Sequence, residues 1–229
     1  MADVSARRAG RLLGAAAITT SALLSSPIAV PSASAAPCPD VEVVFARGTT
    51  ESPGVGGIGE AFVDAVRSQV GGRTLGVYAV NYPASTDFPT AAEGVVDASA
   101  HINAMAADCP DTRMVLGGYS QGGAVIGYVT ADAVPAGFML PTGLTGPMPP
   151  QVADHVAAVA LFGKPSSGFL DAFDAPPLVI GSLYRAKTID LCAPGDPVCV
   201  QGGNNGPAHR QYVVNGMVGQ AADFTARRL

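Results

Sequence analysis

Gly118-Tyr119-Ser120-Gln121-Gly122 reads as G-x-S-x-G. A serine hydroxyl is a weak nucleophile until a base takes its proton, so the motif has meaning only if a base and its orienting acid can be found. In a chain with 28 glycines the pattern alone is weak. Its setting adds to it: the apolar run Met114-Val115-Leu116 precedes it and helical spacing over residues 124–133 follows, which is the strand–turn–helix a nucleophile elbow requires. Small residues flank the serine because that turn is strained and two backbones approach closely there. Three histidines are candidates for the base. His101 lies in an Ala-rich helical stretch and His155 just before a core strand, so both read as surface or packing residues. His209, in Gly206-Pro207-Ala208-His209-Arg210, leaves room for an acid between itself and Ser120, the chain order expected of such elbows. Asp171 and Asp174 fall in a surface segment. Asp190 ends a strand, whereas Asp196 sits between Cys192 and Cys199; a loop closed there would hold a carboxylate still against an imidazole, which favours Asp196 with Asp190 as the alternative. An oxyanion needs two fixed donors, one expected from the Gln121 N–H and the other from the loop Arg47–Glu51, within which the pattern does not choose.

The elements that must carry these residues follow from periodicity. Near-continuous apolar runs predict strands over 41–46, 77–82, 114–116, 156–162 and 182–189. Helical spacing covers 61–70, 91–107, 124–133 and a terminal stretch 208–228 with Tyr212, Val213, Met217, Ala221 and Phe224 facing inward. Strands alternating with helices predict a parallel sheet covered on both faces, with reactive loops at the carboxyl ends of strands near a switch in strand order. Residues 135–150, rich in Pro and Gly and uncharged, read as a surface excursion rather than a domain boundary.

Residues 1–36 differ from the rest. Arg7, Arg8 and Arg11 precede an interrupted apolar stretch, and Ser32-Ala33-Ser34-Ala35-Ala36 offers the small residues a signal peptidase reads. The expectation is a cleaved secretory signal over 1–36 and a single domain over 37–229, against the rival reading of an uncleaved anchor. The four cysteines all lie beyond it and an even count fits an oxidising compartment. Of three connectivities, a Cys192–Cys199 bridge is geometrically easy and would leave Cys38 for Cys109. No CxxC pair exists and the histidines are scattered, so no metal is expected. A formal net charge of −5 argues against a nucleic-acid partner. No helix shows a sustained apolar seam, so a monomer is the default.

Several separate motifs together resemble the cutinase family of secreted serine esterases, in particular the cutinase-like proteins of mycobacteria and their relatives: Val44-Phe45-Ala46-Arg47-Gly48-Thr49-Thr50-Glu51, Tyr82-Pro83-Ala84, Cys109-Pro110, the Ser120 motif, Leu161-Phe162-Gly163, Cys192 to Cys199 around Asp196, and His209 followed by Tyr212. The resemblance runs from Cys38 to about Phe224. It implies a three-layer α/β/α sandwich, a small α/β hydrolase with a central, mostly parallel sheet. It also implies a Ser120–Asp196–His209 triad, an oxyanion hole at Thr49 and Gln121, the bridges Cys38–Cys109 and Cys192–Cys199, and no cofactor. The expected partner is a small-molecule or lipid ester, met with transient contact at a lipid surface. Fungal cutinases carry apolar residues before the histidine, where this chain has Gln201-Gly202-Gly203-Asn204-Asn205-Gly206; that polarity predicts short- to medium-chain acyl esters. The segment 135–150, with Phe138, Met139 and Leu140, either restores apolar contact, acts as a partial cover, or is a disordered loop. Lys164 has no functional account from sequence. Two rival readings share these residues: acyl transfer to a sugar or lipid alcohol through the same acyl-enzyme, and a non-catalytic envelope protein that keeps the fold for binding.

Overall fold

The computed structural model describes residues 38–135 and 139–229; the expected signal over 1–36 and Phe138 lie outside the described residues. Five parallel strands form one sheet in the order β2-β1-β3-β4-β5: β1 (Val41–Ala46), β2 (Leu75–Ala79), β3 (Arg113–Tyr119), β4 (Val156–Phe162) and β5 (Thr188–Leu191). The helices are α1 (Gly56–Arg67), α2 (Ala91–Asp108), α3 (Gln121–Val129), the short α4 (Val152–His155), α5 (Ser167–Asp171) and α6 (Ser182–Arg185), and α7 (Met217–Ala226).

Alternation along β1 separates two cores. Val41, Val43 and Phe45 pack with Phe62, Val63 and Val66 of α1 and Val218 and Ala221 of α7. Val44 and Ala46 face the other way, toward Ala98 and Ile102 of α2 and Val125, Ile126 and Val129 of α3. Both faces of the sheet are therefore covered, which is why β1 and β4 are buried along their whole length; β4 reads in sequence as an unbroken apolar run and β1 as one interrupted only by Glu42. The chain is thus the α/β/α sandwich expected of it.

The strand order reverses between β1 and β3, and their ladder runs from Val41↔Arg113 to Ala46↔Gly118. The loop after β1 and the turn after β3 consequently emerge side by side, the crevice in which open α/β sheets bind ligands.

Three expectations need correction. Residues 182–185 are a helical turn, not the start of a strand, and β5 begins at Thr188; Gly181 bonds back to Thr130, and Ser182 takes the Asp132 carboxylate, which starts the turn. The terminal helix does not begin at 208. A 3₁₀ turn spans Gly206–Arg210, and α7 starts only after Gly216, whose φ of 79° is left-handed. Val213, expected inside, is half exposed in the intervening turns. Finally, β2 begins two residues earlier and ends three residues earlier than the apolar run 77–82 indicated, at Leu75 and Ala79.

Both disulfides are formed as expected, Cys38–Cys109 and Cys192–Cys199. The first ties Cys38, three residues ahead of β1, to the C-cap of α2, where Pro110 ends the helix. Among the described residues no helix is long and apolar enough to cross a membrane.

Candidate active site

Ser120 stands between the last residue of β3 and the first of α3, with φ at 54° and ψ at −118°. A non-glycine residue held there stores of order 1–3 kcal/mol of strain, which the surroundings must overrule. They do so through close packing. A Cβ added to Gly122 would be driven into the Ala46 carbonyl, and one added to Gly118 into the Gly122 carbonyl. The Ser120 N–H donates to Phe162 O at the end of β4, 2.9 Å away, and Ala124 N–H returns to Ser120 O. The hydroxyl is left half-buried at the tip.

Ser120 Oγ lies 2.8 Å from His209 Nε2, and His209 Nδ1 lies 2.7 Å from Asp196 Oδ2. Asp196 is fully buried. Two further donors reach it: Tyr212 OH donates to Oδ2 at 2.6 Å and Val198 N–H to Oδ1 at 2.9 Å. The Cys192–Cys199 bridge closes this loop, and Cys199 Sγ comes to 3.4 Å from the same Tyr212 hydroxyl. Burial and the Asp196 carboxylate both raise the Tyr212 pKa, so its hydroxyl stays a donor well into the alkaline range. Tyr119 packs against the His209 ring and donates its hydroxyl to His209 O at 2.7 Å. Gly163, at φ 58°, passes under all three groups; a Cβ there would meet Tyr212 Oη, His209 Cε1 and Asp196 Oδ2. The histidine is therefore held from both ring nitrogens and from its own backbone.

Asp190, the alternative acid, is elsewhere. Its Oδ2 pairs with Lys164 Nζ at 3.3 Å, and burial raises its pKa against the pull of that lysine. This pairing is also the structural account of Lys164. His101 is neither a surface nor a simple packing residue: it pairs with the buried Glu42 at 2.8 Å and stacks on Tyr78.

The loop after β1 is built around two side chains that sequence reasoning passed over. Arg47 is buried without a carboxylate partner and instead donates to carbonyls of Glu51, Val80, Tyr82 and Pro83. Glu51 folds back to accept the N–H of Gly48 at 2.6 Å and of Gly57 at 2.9 Å. Thr50 N–H donates to Ala84 O. The signal was present: a charged pair flanking an uncharged turn, directly after the apolar stretch Val43–Ala46. Thr49 is thereby presented beside Gln121. None of the hydrogen bonds among the described residues uses the N–H of either residue. The Gln121 side chain donates to Ser85 O, leaving its buried carbonyl oxygen unpartnered. Two free donors, an activated hydroxyl and a held imidazole in one crevice can perform acyl transfer. Among the described residues no cluster of His, Cys, Asp and Glu could hold a metal ion.

A family model described as Cutinase matches residues 37–229. Carboxylesterase Culp1 of Mycobacterium tuberculosis (strain H37Rv) is 54% identical over 224 residues, covering 96% of this chain and 95% of that protein. Phospholipase Culp4 of the same organism is 50% identical over 228 residues, covering 98% and 93%. Among solved structures, Trichoderma reesei cutinase in complex with a phosphonate inhibitor superposes with a TM-score of 0.63 at 33% identity, over 83% of this chain and 77% of that one.

Proposed function

The chain belongs to the cutinase family and is a carboxylic-ester hydrolase, and from that premise we propose that it acts through a Ser120–His209–Asp196 triad and an acyl-enzyme. Ser120 Oγ attacks the ester carbonyl carbon while His209 Nε2 takes its proton. The oxyanion is held by the N–H groups of Thr49 and Gln121. Collapse passes the proton from His209 to the departing alcohol and leaves the acyl group on Ser120. Water, deprotonated by His209, then attacks the acyl-enzyme and releases the carboxylic acid. Asp196 stays ionised throughout, fixing the imidazole tautomer and stabilising its cation. The observation that carries this reading is the continuous hydrogen-bonded line from Ser120 Oγ through both nitrogens of His209 to a fully buried carboxylate.

The protein is exported, with 1–36 removed as a signal and 37–229 acting as one domain. Two disulfides support this, since such bonds persist in oxidising compartments.

Hydrolysis of p-nitrophenyl butyrate by the oxidised 37–229 chain tests the assignment. Ser120→Ala should lose roughly 10⁶-fold in kcat with unchanged far-UV circular dichroism. A p-nitrophenyl alkylphosphonate ester should phosphonylate Ser120 in the wild type alone, with Oγ displacing p-nitrophenolate from phosphorus. Retained turnover in the alanine variant overturns the mechanism.

A further inference from the structure

The stretch that follows β4, residues 163–166, touches both the nucleophile elbow and the loop that carries Asp196. Gly163 N–H donates to Leu191 O at 2.8 Å, and Ser166 N–H donates to Val198 O at 2.9 Å. These two bonds land on either side of Asp196. Between them, Lys164 faces two ways. Its backbone packs against the start of α3, where a Cβ added to Gly123 would come within 3.2 Å of Lys164 Cα. Its side chain, 17% exposed, runs to β5 and pairs with Asp190 Oδ2 at 3.3 Å. Asp190 stands two residues ahead of Cys192, where the bridged loop begins.

The end of β5 needs such a tie. The strand is four residues long, lies at the edge of the sheet and, among the described residues, pairs with β4 alone. Local opening costs least at the fraying ends of short elements. Yet this end must deliver a carboxylate to 2.7 Å from His209 Nδ1, and a misplacement of about 1 Å in a catalytic site can cost about 10²-fold in rate. We propose that Lys164 is a positioning residue for the reaction: through Asp190 it holds the end of β5, and with it the Asp196 loop, against the elbow that carries Ser120. This role rests on the triad reading above and adds a residue to it. None of the hydrogen bonds or ion pairs among the described residues joins Lys164 to Ser120, His209 or Asp196, and it does not line the cavity at Ser120. Its route to the chemistry is therefore Asp190. Because Asp190 is 45% exposed, the pair adds little to global stability; its effect is on where the loop sits, and belongs to kcat.

Steady-state hydrolysis of p-nitrophenyl butyrate by the oxidised 37–229 chain, with His209 followed by proton NMR, tests this. Lys164→Met keeps the aliphatic stem and removes the charge. Asp190→Asn keeps the shape and removes the partner. Each should lower kcat by about 10-fold while KM stays within about 2-fold of wild type. The double variant should be no worse than either single one, since both break the same contact. In each, the downfield Nδ1–H resonance of His209 should broaden as its bond to Asp196 loses protection. Lys164→Arg, which still meets a carboxylate, should recover most of kcat and the sharp resonance. Unchanged kcat and resonance in Lys164→Met overturn the proposal, as do losses that multiply in the double variant. A fall in Lys164→Met that Asp190→Asn does not share assigns the effect to the lysine charge alone and overturns it too. Should Lys164→Met fail to fold, Asp190→Asn, at an exposed position, carries the test. Ser120→Ala run alongside keeps the two readings apart. Turnover retained there takes down the triad, whereas Ser120-dependent turnover that ignores Lys164 takes down its positioning role alone.

Discussion

Tyr212 spends its one hydroxyl on the Asp196 carboxylate while accepting the Ala193 N–H at 3.2 Å. It is a positioning residue: it touches no substrate, but it fills the acceptor site on Oδ2 that would otherwise compete for His209. Tyr212→Phe removes one hydrogen bond to a charged group and should lower stability by about 1.5–3 kcal/mol, read from denaturant unfolding. Asp196→Asn keeps the packing but reverses the tautomer preference of His209, and kcat should fall about 10⁴-fold with the fold intact. Ser120 and His209 were legible from sequence because a nucleophile elbow and the order of its partners are local patterns. Asp196 was legible only because two cysteines bracket it. Arg47 and Glu51 were not singled out, since their partners are backbone carbonyls and N–H groups that leave no side-chain signature.

At the scale of elements, the loop after β1 depends on a guanidinium reaching four carbonyls at once. Lysine cannot make that fork. Arg47→Lys should loosen Thr49 and lower kcat by up to about 10²-fold with little change in KM, which steady-state kinetics will separate. The strands β1 and β4 were readable to the residue because burial on both faces makes β4 continuously apolar and β1 nearly so, with Glu42 its one polar residue. The α6 turn and the delayed start of α7 were not, for a shared reason. Ser182-Leu183-Tyr184 has strand-like composition, and its helical state is imposed by Asp132 from fifty residues away. Residues 211–216 keep helical spacing, yet Tyr212 is committed to the Asp196 loop and Gly216 turns left-handed, so the helix starts late. Tertiary contacts overrode local preference in both places.

The molecule as a whole carries six tyrosines, and burial raises the pKa of every one: Tyr78, Tyr128 and Tyr184 to about 12, and Tyr82, Tyr119 and Tyr212 further. The folded state thus holds protons that the unfolded chain releases near pH 10. The associated stability is fully present below that pH and drains away as pH climbs toward and beyond 12. Absorbance at 295 nm and circular dichroism should therefore change together in one alkaline transition. The Cys38–Cys109 bridge closes the longer loop, 71 residues against 7, and on chain-entropy grounds its removal by Cys38→Ser with Cys109→Ser should cost about 4 kcal/mol. The neighbouring strands β1 and β3 have one more consequence. The two donors proposed for the oxyanion hang from adjacent parallel strands whose ladder runs to Ala46↔Gly118, so the hydrogen-bond spacing of the sheet, about 4.8 Å, acts as a gauge block for the distance between them. The gauge fixes the strand ends from which both donors start for as long as the sheet is intact, and the Arg47 fork holds Thr49 beyond its strand end. Activity against short esters should accordingly hold its shape with temperature and vanish at the melting of the sheet, not several degrees before it.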